Sequence, residues 1–99
     1  MVVESENGAT IDAMPDERLL ELILTKLDKA TLAKTHCLQY IDPYGDTTFN
    51  MLQKPILLNE VLALEPLCDL SEREHLHKII AFLKKHVDGI HTYVKFYGD

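Results

Sequence analysis

At 99 residues the chain has room for one domain and one modest core, and 46% apolar against 26% charged residues is a globular balance. Its net charge of −6 lacks the basic footprint that phosphate backbones require, which argues against nucleic acid as a partner. No apolar run approaches the length of a bilayer span, and the start, Met1 to Glu6, has neither the basic opening nor the apolar stretch of a signal peptide.

The charge is unevenly placed. Residues 1–17 carry five acids and no Lys or Arg, and residues 35–70 carry five acids against one Lys. An acidic surface attracts basic partners, although acidity also keeps small proteins soluble. Cys37 and Cys68 are the only cysteines, show no zinc-type spacing and sit among apolar neighbours. They read as buried thiols of a reducing compartment, so a cytoplasmic protein is expected.

Residues 1–13 are polar and acidic. Asn7-Gly8 is a hairpin signal, but its flanks are thin, and a flexible tail is expected ahead of a single domain over residues 14–99. A first helix is predicted from Pro15, with Asp16 and Glu17 at the positive end of its dipole and a stripe of Leu19, Leu20, Ile23, Leu24 and Leu27. Leu22 falls off that stripe. Asp28 suits the cap of a short second piece running to about Lys34.

His36 to Ile41 reads as a short strand ending in the turn Asp42-Pro43-Tyr44-Gly45, and Thr48 to Lys54 as one loose helical turn. The next helix starts at Pro55 and stops before Pro66, with Leu57, Leu58, Val61, Leu62 and Leu64 in its body. The third is capped by Ser71 and Glu74, carries Leu76, Ile79, Ile80, Leu83 and Val87 on one face, and ends at a left-handed Gly89. Ile90 to Tyr97 then alternates as a half-buried strand, with Ile90, Thr92, Val94 and Phe96 on one face and His91, Tyr93, Lys95 and Tyr97 on the other. Together these predict a helix-dominated α+β domain of three helices packed on a small two-stranded sheet. So small a sheet leaves open edges, which invite a homodimer.

No nucleophile motif, Gly-rich phosphate loop or zinc-type histidine spacing is present, so neither catalysis nor a cofactor is expected. The notable constellation is the turn. Asp42 and Asp46 bracket Tyr44, Asn50 adds an oxygen, and strand pairing would bring His91, Tyr93 and Tyr97 alongside. Tyrosine offers large contact area with few torsions to freeze. These seven residues form the expected contact surface of a small acidic, non-enzymatic protein that meets a basic protein partner, an inhibitor- or immunity-like role on charge and size alone. One alternative is a metal-binding or metal-dependent hydrolytic protein using Asp42, Asp46, Asn50 and a His, because hard cations favour oxygen ligands. Another is a structural homodimer subunit of a larger assembly.

Overall fold

Alternation in the C-terminal segment organises the whole sheet. Val94 and Phe96 are buried, while Tyr93 and Lys95 between and beside them stay half-exposed. The computed structural model of the protein describes residues 1–15, 19–42 and 44–97. Its elements are β1 (Val2–Ser5), β2 (Thr10–Ala13), α1 (Leu19–Leu24), α2 (Lys29–Ala33), β3 (Thr47–Phe49), α3 (Lys54–Leu62), α4 (Leu70–His86) and β4 (Thr92–Phe96), with single 3₁₀ turns at Leu38–Tyr40 and Glu65–Leu67.

The strands form one antiparallel sheet in the order β2-β1-β4-β3. Val94 lies opposite Val3 on one side and Phe49 on the other, so a single buried row crosses three strands. Phe49 and Phe96 meet edge to face at 6.0 Å. Leu20 and Ile23 of α1, Leu57 and Val61 of α3, and Leu76, Ile79 and Leu83 of α4 close over that row. The opposite sheet face carries Glu4, Tyr93, Lys95 and Thr48, of which the first three are half-buried and Thr48 is exposed.

Among the described residues the sheet therefore has four strands and the fold four α-helices, not two and three. The two added strands come from residues 2–13, the stretch read as a tail. Val2-Val3-Glu4-Ser5 is too short to declare itself, but pairing with β4 gives it ladder bonds and buries Val3 completely. The Asn7-Gly8 signal is real: Gly8 takes φ 85° in the β1–β2 turn, where a side chain would be strained. Thr48 and Phe49, expected to open a helical turn, instead join Thr47 in the edge strand, in keeping with their β-branched and aromatic side chains.

His36 to Ile41 is not a strand. The Glu60 carboxylate of α3 accepts the backbone N–H groups of His36, Cys37 and Leu38 at 2.6, 3.0 and 3.0 Å, and this winds the chain into the 3₁₀ turn instead. On α4 the capping box is Asp69 with Glu72, two residues earlier than expected. Gly89 is not left-handed; that conformation belongs to His91, φ 56°. Gly89 is required for another reason, since a Cβ there would lie 2.5 Å from Thr92 Oγ1. Asp28 does cap α2, accepting from Thr31 N at 2.6 Å. The start of the first helix at Asp16 and Glu17, and Pro43 of the turn, lie outside the described residues. Cys37 and Cys68 are both buried and free. Among the described residues no helix is long and apolar enough to cross a membrane.

Candidate interaction surface

The chain reverses after the Leu38–Tyr40 turn because Asp42 ties it there. Its Oδ1 accepts Tyr44 N at 2.8 Å, its carbonyl accepts Gly45 N at 3.4 Å, and its own N–H donates to Thr47 Oγ1 at 2.9 Å. Thr47 Oγ1 also approaches the Tyr40 carbonyl at 3.5 Å. The start of β3 is thus fixed against residues 40–42, and the aromatic side chains on either side are thrown outward. Tyr44 is 81% exposed and Tyr40 64%.

Thr47 pairs with Phe96, so Tyr97 emerges at this same end of the sheet, 56% exposed. Lys95 joins the parts. Its ammonium lies 5.0 Å above the Tyr97 ring, 3.7 Å from Asp46 and 3.9 Å from Glu4. A line of charge therefore runs across this face from β1 through β4 to the turn, with Tyr93 beside it, opposite Glu4.

The fold therefore brings Asp42, Tyr44, Asp46 and Tyr97 together and sets Tyr93 on the adjoining face. It separates the other two. Asn50 Oδ1 accepts the N–H groups of Leu52 and Gln53 at 2.9 and 3.0 Å, capping the turn into α3. His91 sits at the far end of β4, 3.2 Å from Glu6 near the hairpin tip. Tyr40 also belongs to this surface, although the seven residues expected there do not include it. Its place next to the Asp42 turn was the available signal. Among the described residues no three His, Cys, Asp or Glu are grouped so as to hold a metal ion.

A second feature lies across the molecule. A groove of about 680 Å³ separates β2 and the residues after it, Asp12, Met14 and Pro15, from the outer side of α4, where Ser71, Glu74, Lys78, Ala81, Phe82 and Lys85 recur at helical steps. Asp12 crosses at one end: its Oδ2 lies 2.7 Å from His86 Nε2 and 3.1 Å from Lys85 Nζ. His86 foremost, then Lys85 and the Ala13 N–H, hold this carboxyl down at about 2, below its ordinary 3.8. A depressed carboxyl stabilises the fold above its unfolded value and stops doing so as pH falls through its folded value. Wild type should therefore be more stable than Asp12→Asn at neutral pH, with the gap closing between pH 3.8 and about 2, as read by urea melts across that range. A gap that persists at the acid end would mean the carboxylate is not the source.

No family model, curated protein or solved structure matches the chain, so a functional reading has to come from this geometry.

Proposed function

We propose that the protein is a non-enzymatic interaction module that offers the Asp42–Asp46 turn to a basic protein partner. The observation behind this reading is the convergence of three exposed tyrosines, Tyr40, Tyr44 and Tyr97, with Asp42 and Asp46 at one end of the β3–β4 pair. Exposed rings of this size supply contact area at low entropic cost, and flanking acids steer a basic partner and set its register. The turn is also pre-tied by its own hydrogen bonds, so little order has to be gained on binding. An inhibitor- or immunity-like role is the form that small size and a net charge of −6 favour. The two free, buried thiols favour a reducing, cytoplasmic setting. The metal-dependent alternative has less behind it, since Asp42 Oδ1 and Asn50 Oδ1 are already engaged by backbone N–H groups.

The test is capture of a basic protein by immobilised wild type and by variants, with salt varied. Tyr44→Ala should weaken binding at least tenfold, which corresponds to about 1.4 kcal/mol. Asp42→Asn with Asp46→Asn should weaken it further and flatten its salt dependence. Retention of full, salt-independent affinity by the double variant would show that the acids make no contact.

A further inference from the structure

We infer that the turn of one copy docks in the groove between β2 and α4 of a second copy, so that copies associate head to tail. The inference rests on reading the turn as a contact surface, and it names one thing that surface contacts.

Topology comes first. β2 and β3 are the opposite edges of the sheet. The turn leads into β3, and the groove has β2 and its continuation as one wall. A chain therefore cannot fill its own groove with its own turn, whereas the next copy can. Such a contact is heterologous: it uses two different surfaces and grows into a chain or a ring.

Charge and spacing come next. The turn reads acid, tyrosine, acid over Asp42, Tyr44 and Asp46. The groove reads lysine, small and apolar, lysine over Lys78, Ala81 with Phe82, and Lys85, a span of about 10 Å along α4. Met14 and Phe82 supply apolar walls, and Ala81, lacking a long side chain, leaves room between the lysines for an aromatic ring. Lys78 is exposed and makes no ion pair among the described residues, and Lys85 is shared with Asp12. Glu74, one turn before Lys78, and His75 line the N-terminal end of the groove, so the lysine-to-lysine stretch lies C-terminal to them. Tyr44, the most exposed aromatic side chain, is the group shaped to enter, with an acid on each side to reach a lysine.

Two copies of net charge −6 repel as wholes while these patches attract, so salt acts on both effects and decides little. Complementation between variants decides more. Both surfaces are solvent-exposed, so a turn variant (Asp42→Asn, Tyr44→Ser, Asp46→Asn) and a groove variant (Lys78→Glu, Ala81→Glu) should fold, as melting curves will check. In sedimentation equilibrium on the full chain, wild type should grow past the dimer as concentration rises. Each variant alone should stay monomeric. Their equimolar mixture should form a one-to-one dimer and stop there, since only one intact turn and one intact groove remain to meet. Mild oxidation of Tyr44→Cys mixed with Ala81→Cys should trap the mixed disulfide in preference to either homodimer, a readout that does not require tight association.

Wild type that is monomeric throughout with no mixed disulfide trapped, a variant that associates like wild type, or a mixture that stays monomeric while wild type associates would each overturn the inference. If wild type is monomeric yet still captures a basic protein through Asp42 and Asp46, self-docking falls and the reading of the turn stands. If neither occurs, both fall.

Discussion

Lys54→Ala should cost the fold about 2–4 kcal/mol, a large part of the roughly 5–15 kcal/mol that holds a domain of this size together. Lys54 is the one charged side chain buried among the described residues, 2% exposed. Its ammonium donates to the His86 and Gly89 carbonyls, each at 2.9 Å, and to Thr92 Oγ1. All three donors are used. The His86 carbonyl belongs to the last turn of α4, where backbone acceptors have no partner within the helix. A cation from α3 thus closes the C-terminus of α4, favoured by the helix dipole, and fixes the loop that starts β4. Truncation removes one of two donors from each carbonyl, leaving Gly89 N on the His86 carbonyl at 3.1 Å and Thr92 Oγ1 on the Gly89 carbonyl at 3.0 Å, and opens a gap where the stem packed.

Lys54→Met separates these contributions. It keeps most of the apolar stem and removes the donors, so it should recover part of the loss and no more. Replacing a buried ion pair by hydrophobes is often harmless, but there both partners are removed; here the acceptors stay behind. Urea melts with unchanged slope would report the two losses, and a Met variant as stable as wild type would show that the ammonium contributes nothing net. Burial also pushes the lysine below its ordinary 10.5, partly offset by Asp88. For this group the unfolded chain holds the proton more tightly, so wild-type stability gains a term that rises with pH between the depressed folded value and 10.5. The Met variant should lack that rise.

What could be read from the sequence divides along the range of the interactions. The apolar face of α4, the alternation of β4 over Thr92 to Phe96 and the Asp28 cap are set by neighbours within a few positions and lie where periodicity and capping chemistry put them, whereas Ile90, which the same alternation puts on the buried face, precedes β4 and is exposed. The turn belongs with these, since Asp42 acts on residues two to five places ahead. The hairpin is different. Val2 to Ser5 becomes a strand because it meets β4, some ninety residues later in the chain, and nothing in its own four residues says so. Lys54 is the sharpest case: in the sequence it is a lysine before a proline, and three acceptors between residues 86 and 92 make it part of the core. The candidate surface shows the same division. Asp42, Tyr44 and Asp46 are local and were legible. Tyr97 joins them only through the β3–β4 register, and Tyr40 only because a distant carboxylate overrides a strand-like stretch.

That carboxylate gives the second large effect. Glu60→Ala should destabilise the protein by about 2–3 kcal/mol, because three N–H groups at the start of the Leu38–Tyr40 turn lose a charged acceptor together. His36 N is exposed enough for water to replace its bond; the N–H groups of Cys37 and Leu38 are partly buried and have less access to it. Glu60→Gln tests charge against shape. It keeps one acceptor oxygen but presents an amide donor where an N–H already points, so it should lie nearer Ala than wild type. Cys37 gives an independent readout. Burial first, and the Glu60 charge second, push its thiol up to about 11, which keeps it almost wholly protonated at neutral pH. Either substitution should lower that value and loosen the cover, so Cys37 should alkylate faster while Cys68, bonded to the Leu64 carbonyl beyond the C-terminal end of α3, changes little. Amide exchange at Cys37 and Leu38 should quicken in parallel. Because these residues lead into Tyr40 and Asp42, a loosened turn should also weaken partner capture through entropy alone, with every contact residue still present. If both variants melt with wild type and Cys37 stays inert, Glu60 is not what holds the turn, and the strand-like composition of His36–Ile41 was overridden by something else.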